Sequence, residues 1–323
     1  VLVAATTALI SGLSVFVNSY GVHAVRSPAV YTTAKNLVAT VLLVGCGFAA
    51  LRLRRRRPVS AAGRFVSVHR GRTVQGADQR SSVDRGILEW LGLAYVGIIG
   101  GGLAFVLFFD GLADTSATPA AFWRDTLVIW VAVLAVPFLH ERITWWNVLA
   151  IALLVVGEVA VAGGLGHLDA SRGELLVLSA SMLWAVEVVV AKILLRGIAP
   201  ATISIVRMGI GAVTLVGYLA ATGSLHALFA LDATQVGWAL LTGLLLAAYV
   251  ATWMTALARA RAIDVTSILV GSALVTALLQ AAAGTTSLAP QALGLALIAV
   301  GAAIVVWMGF RQPGLRPETV AVE

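Results

Sequence analysis

Six ionisable side chains stand inside long apolar runs of this chain: Lys35, Arg124, Asp125, Glu158, Glu187 and Arg207. A charge without bulk water around it pairs, binds a ligand or borders a wet cavity. Arg124 and Asp125 are consecutive, so on a helix they point about 100° apart. They can border one cavity without being each other's natural partner on a face. Arg124 then suits a carboxylate or phosphate, and Asp125 a proton or an amine. Interhelical ion pairing is the alternative. Glu187 follows Trp184 by one turn, on the same face. A lone carboxylate there could carry a proton, and the ring beside it could hold an organic cation. The alternative is a salt bridge to an arginine of the fourth or seventh span, Arg124 or Arg207. Lys35, Arg207 and Glu158 read as structural intramembrane charges that pair, snorkel or hold a peripheral helix.

Uncharged polar groups form stripes at helical spacing. Thr7, Ser11, Ser14 and Asn18 share one face, and Ser272, Thr276 and Gln280 share another. Such stripes line an aqueous path or glue helices together. Tyr249 and Trp253 form an i, i+4 aromatic pair. The expected solute-binding set is therefore Asn18, Arg124, Asp125, Trp184, Glu187, Tyr249, Trp253, Ser272 and Thr276. Glu187 and Asp125 are the expected proton carriers. No catalytic or metal site is expected. Cys46 is the single cysteine, the five histidines are scattered, and no HExxH, GxSxG or GxxxxGK[ST] motif occurs. No cofactor follows from the sequence.

The elements that position these residues are transmembrane helices. The 323 residues are 60% hydrophobic and 11% charged, against about 25% charged in a soluble domain. Too little polar surface remains to face water, so the main solvent is the lipid bilayer. A span needs about 17–25 apolar residues. That ruler gives ten, near 2–22, 28–51, 87–109, 115–138, 145–163, 174–195, 200–221, 235–257, 264–283 and 291–310. The opening run 1–20 has no basic region before it and continues into further spans, so it reads as a span rather than a cleaved signal. With both termini cytoplasmic, seventeen Lys and Arg fall inside and only Arg26 and Arg172 outside, the positive-inside pattern of a multi-pass cell-membrane protein. Ten of those arginines lie in 52–86, read as a mobile cytoplasmic loop anchored beside anionic lipid. The net charge of +7 thus reflects topology, and no nucleic-acid partner is expected.

The two halves resemble each other. Pro28 precedes Lys35 by seven residues, and Pro200 precedes Arg207 by seven. Gly157 in LLVVGEVAV matches Gly301 in LIAVGAAIV. Five crossings return the chain on the opposite side, so a repeated five-helix unit is inverted. Gly97, Gly100, Gly101 and Gly102 allow close helix approach or a bend.

Three stretches carry a wider resemblance: SPAVYTTAKNLVATVLLV, then SATPAAFWRDTLVIWVAVLAVPFLHERITWWNVLAIALLVVG, then SASMLWAVEVVVAKILL with APATISIVRMGIGAVTLV. In order and repetition the chain resembles the EamA-type branch of the drug/metabolite transporter superfamily. Within the second stretch Glu141 and Arg142 read as a turn and helix-cap element. The resemblance implies an all-α integral membrane fold of ten helices in two inverted repeats. The first would be 1–163 with the loop 52–86, the second 172–310, and 311–323 a cytoplasmic tail.

That fold implies a secondary transporter working by alternating access, exporting or exchanging a small metabolite or a drug-like or amino-acid-like solute. A proton is the candidate coupling ion, and the sequence leaves the oligomeric state open. A lipid translocator or a non-transporting scaffold is the second class, and a membrane-embedded enzyme a third, for which no motif is present. Counterflow of labelled solute separates the three.

Overall fold

The computed structural model describes residues 2–25, 27–56, 77–115, 117–164, 171–285 and 288–311. Arg26, most of the Arg-rich segment and the tail expected at 311–323, apart from Arg311, lie outside them. Among the described residues all regular structure is helical. In chain order the helices are α1 (Leu2–Ala24), α2 (Pro28–Arg56), α3 (Ala77–Tyr95), a π-helical stretch (Val96–Leu103), α4 (Ala104–Ala113), α5 (Ala117–Asp125), α6 (Leu127–Leu139) and α7 (Trp145–Val161). There follow α8 (Arg172–Leu194), α9 (Pro200–Ala221), the short α10 (Leu225–Phe229), α11 (Ala233–Arg259), α12 (Ala262–Val270), α13 (Ser272–Ala282) and α14 (Ala292–Arg311).

Nine of these units are long and apolar enough to cross a membrane, by length and composition. α3, the π stretch and α4 supply one of them, Gly86–Leu112. α5 with α6 and α12 with α13 supply two more. The tenth expected span is α7, with 17 residues, which reaches about 25 Å at 1.5 Å per residue. That is short of a typical ~30 Å hydrocarbon core. A capping box fixes its start: Thr144 accepts from the Asn147 backbone, and Asn147 returns the bond. Large apolar side chains such as Leu88, Trp90, Val213, Leu293 and Phe310 point outward, as a lipid-facing surface requires.

One expectation is corrected. The loop expected over 52–86 is shorter than read, because α2 runs on to Arg56 and α3 begins at Ala77. Polar residues continue a helix past the apolar boundary once the span has nucleated it.

Glycines set the closest contacts. A Cβ on Gly157 would lie 2.8 Å from the Gly294 carbonyl, and one on Gly301 would lie 3.0 Å from the Ala150 carbonyl. So α7 and α14 cross antiparallel, backbone to backbone. A Cβ on Gly101 would lie 2.5 Å from the Arg207 carbonyl, and one on Gly243 would lie 2.9 Å from the Lys35 carbonyl. The π stretch therefore packs on α9 as α11 packs on α2. Two membrane units are interrupted at one residue. Thr126 separates α5 from α6 with φ −57° and ψ −13°. Gly271 separates α12 from α13 with φ −57° and ψ −12°.

Candidate functional site

A cavity of about 760 Å³ lies among α1, α2, α4, α5, α6, α8, α9, α11, α12 and α13. It is well within the usual range for small-molecule sites, about 300–1,000 Å³. Its lining begins at His23, Pro28 and Thr115, beside the helix connections that carry few basic residues. It runs inward to Glu187, Arg207, Trp253 and Ser272. Among the described residues, none from the connections at the opposite, arginine-rich end lines it.

One wall is aromatic. Phe105, Phe108 and Phe109 of α4 face the cavity with Trp184 of α8. Phe105 meets Trp184 edge-on at 5.3 Å, and Phe105 and Phe109 stack at 6.4 Å. Tyr249 and Trp253 stack at 6.1 Å on α11. The phenylalanines were not among the expected site residues, yet their i, i+3, i+4 spacing placed them on one face of a helix.

The charged groups are arranged in pairs. Arg207 Nε donates to Glu187 Oε1, and Arg207 Nη2 donates to Glu187 Oε2 at 3.1 Å. Both side chains are over nine-tenths buried. The π stretch supports them, since the Gly100 carbonyl accepts from Trp184 Nε1 at 3.0 Å and from Arg207 Nη2 at 3.3 Å. Arg207 also lies 5.7 Å from the Phe105 ring centre. Glu187 is therefore not a lone carboxylate, and the organic cation expected beside Trp184 would find a guanidinium already there.

Arg124 and Asp125 correct a second expectation. They do border one cavity, but they also pair with each other. Arg124 Nε donates to Asp125 Oδ1 at 2.8 Å, and Nη2 to Oδ2 at 3.0 Å. The 100° argument holds for short side chains in a continuing helix. Here α5 ends at Asp125, and the arginine is long enough to fold across. Ser181 of α8 donates to the Trp123 and Arg124 carbonyls at 2.9 and 3.1 Å, covering carbonyls at the end of α5.

Lys35 and Arg207, expected as structural charges, both line the cavity. Lys35 Nζ donates to Asn18 Oδ1 at 3.1 Å and sits 5.1 Å from the Tyr31 ring centre and 4.9 Å from that of Phe109. Asn18 and Ser272 also line the cavity, with Ser11 and Ser14. Thr276 does not. Its hydroxyl donates to the Gly12 carbonyl at 3.1 Å and so ties α13 to α1. Thr7 is buried and bonds its own helix at Val3. Glu158 is outside the cavity, 6% exposed. It shares with Asp125 a void of about 10 Å³, room for about one water. Among the described residues its Oε1 has no hydrogen-bond partner.

At the arginine-rich end a polar network closes the bundle. Glu141 accepts from the Ala262 and Ile263 amides at 2.7 and 3.2 Å, so it caps α12 rather than a helix of its own turn. Arg261 holds Asp264 bidentately at 2.8 Å for each bond and donates to the Arg142 carbonyl at 3.1 Å. Asn147 reaches Asp264 at 3.3 Å. Lys192 donates to the carbonyls of Leu257 and Ala260. Among the described residues no group of three or more His, Cys, Asp or Glu is placed to hold a metal ion.

The sequence matches the EamA-like transporter family over residues 76–162 and 171–307. No curated protein sequence matched the chain. One solved structure, titled "Crystal structure of protein", superposes with a TM-score of 0.68 at 17% identity, over 96% of this chain and 98% of that one. At that identity the likeness speaks for the fold alone.

Proposed function

The chain belongs to the EamA-like transporter family, and from that premise we propose that it is a secondary transporter that binds one small organic solute in the central cavity and releases it by alternating access. The observation that carries the reading is the cavity itself. It is about 760 Å³, aromatic and charged, and among the described residues its lining reaches one end of the bundle but not the other. A site reached from one side is half of an alternating-access cycle. The network around Glu141, Arg261 and Asp264 supports the other half, as the contacts that must part when the cavity turns to the arginine-rich side.

Two inverted five-helix repeats give the motion its axis. Three observations support them. The Gly157–Gly294 contact has its counterpart in Gly301–Ala150, with each residue displaced by 144. The two interrupted spans share one backbone conformation at Thr126 and Gly271. Arg207 and Lys35 each set a carbonyl against a glycine of the other half. Interrupted helices in corresponding places are a mark of transporter sites. With the arginine-rich end in the cytoplasm, this state faces outward, in the cell membrane, with both termini inside. Export or exchange fits such a state as the releasing form. Asp125 and Glu187 remain the carboxylates proposed for a coupling proton, each held by an arginine in this state.

Counterflow in proteoliposomes tests this. A panel of labelled metabolites should give at least one that exchanges faster than in empty vesicles. Ser14→Trp, which puts an indole into the cavity, should slow that exchange. If this variant and Trp184→Ala both exchange as fast as the parent, the cavity is not the path. Movement of headgroup-labelled lipid instead would identify a lipid translocator.

A further inference from the structure

We propose that the cavity selects organic anions, and that Lys35 binds the solute carboxylate at a subsite made with Asn18, Tyr31 and Phe109. The proposal deepens the transport reading and rests on it.

Three cations line the cavity, Lys35, Arg124 and Arg207, against two carboxylates, Asp125 and Glu187. Each arginine is held bidentately by one carboxylate. Among the described residues no carboxylate pairs with Lys35, although it is only 6% exposed. Its partners are one amide oxygen and two aromatic faces. An ammonium has three protons to donate, and Asn18 takes one. Asn18 is fixed in turn, with its Oδ1 also accepting from Tyr31 at 2.8 Å and its amide donating to Ser14. A buried cation with an amide and ring faces but no anion is incompletely compensated. A solute carboxylate supplies what is missing.

The two halves show that the deficit is specific to this place. Lys35 and Arg207 stand seven residues after Pro28 and Pro200, and each carbonyl packs on a glycine of the other half. α8, the first helix of its half, gives Arg207 the carboxylate of Glu187. α1, the first helix of the other half, contains no Asp or Glu. In the corresponding role it offers the neutral Asn18. The solute would do for Lys35 what Glu187 does for Arg207. The rest of the solute would lie on Phe105, Phe108 and Trp184, which suits a flat apolar body. An organic cation would meet an excess positive charge.

The test uses the full chain in lipid nanodiscs, with tritiated phenylacetate and phenethylamine as probes of equal body and opposite charge. Phenylacetate should bind saturably and phenethylamine should not. Lys35→Gln should weaken phenylacetate at least about tenfold, and Lys35→Arg should restore most of the loss. Asn18→Asp places a carboxylate within reach of Lys35. It should abolish phenylacetate binding while melting no lower than the parent, which covers the case that Lys35→Gln fails to fold. Preference for phenethylamine, binding of neither probe, or phenylacetate binding indifferent to both variants would overturn the proposal. Counterflow separates it from the transport reading. Phenethylamine exchange would keep the transporter and remove the anion site. Lys35-dependent phenylacetate binding without any flux would keep the site and remove the transporter.

Discussion

Glu187 and Arg207 form the most deeply buried ion pair of the described residues, with side chains 5% and 8% exposed. Removing one member leaves the other charge buried alone, at a cost of about 3–5 kcal/mol. Glu187→Gln and Arg207→Ala should therefore each lower the melting temperature in detergent clearly, and the double variant should recover part of the loss. Independent, additive losses would show that the pair is not coupled. Glu158 is the opposite case. Its Oε1 has no partner among the described residues, and it shares a small void with Asp125. An unsatisfied buried acceptor costs about 1–3 kcal/mol. Glu158→Gln keeps the shape and turns a donor toward the Asp125 side, so it should melt at or above the parent temperature. A drop of several degrees would mean that Glu158 is held by a bond its surroundings do not show.

Helix packing depends on where backbones touch. Gly101 and Gly243 each face a carbonyl of the neighbouring span, at 2.5 and 2.9 Å from the position a Cβ would take. A larger side chain must push two spans apart, and overpacking costs about 1–3 kcal/mol even where side chains can move. Backbone cannot move so easily. Gly101→Leu and Gly243→Leu should both reduce the yield of monodisperse protein on gel filtration, and to a similar degree if the halves correspond. Gly45 and Gly217 have nothing within 4 Å of such a Cβ. Leucine at either should be tolerated. A severe loss at the controls, or none at Gly101 and Gly243, would reject backbone contact as the cause. The same logic explains the sequence signal. The glycine cluster at 97–102 read as close approach or a bend, and the structure shows a close approach at Gly101 within a π-helical stretch.

The bundle as a whole makes one claim that labelling can check. His226 and Arg196 are exposed residues at opposite ends. In a Cys46→Ala background, His226→Cys should react with a membrane-impermeant maleimide applied to intact cells. Arg196→Cys should react only after the membrane is opened. The reverse pattern would turn the molecule over and make the cavity inward-facing. Equal labelling of both from one side would contradict the single membrane-length helix, α9, that lies between them.

The all-helical membrane architecture, the family and several polar and aromatic residues of the cavity were legible in the chain. Apolar length reports a span without reference to its neighbours, because the bilayer is the same solvent for every helix. Asn18, Arg124, Asp125, Trp184, Glu187, Tyr249, Trp253 and Ser272 stood out because a polar or amphipathic group in an apolar run is costly wherever it packs. Partnership was legible only for Glu187, and there only as the alternative of a salt bridge to Arg124 or Arg207. Arg124 folds onto Asp125 because α5 stops there, Glu187 meets Arg207 because Gly100 lets the π stretch approach, and Glu141 caps a helix 121 residues away. Thr276 satisfies spacing yet faces α1 rather than the cavity. Lys35 shows the difference most clearly. Its sequence position matched that of Arg207, so it read as structure. That it lines the cavity with an amide and two rings, and no carboxylate, depends on which helices surround it, and helix neighbours in a membrane are chosen by packing that no local pattern encodes.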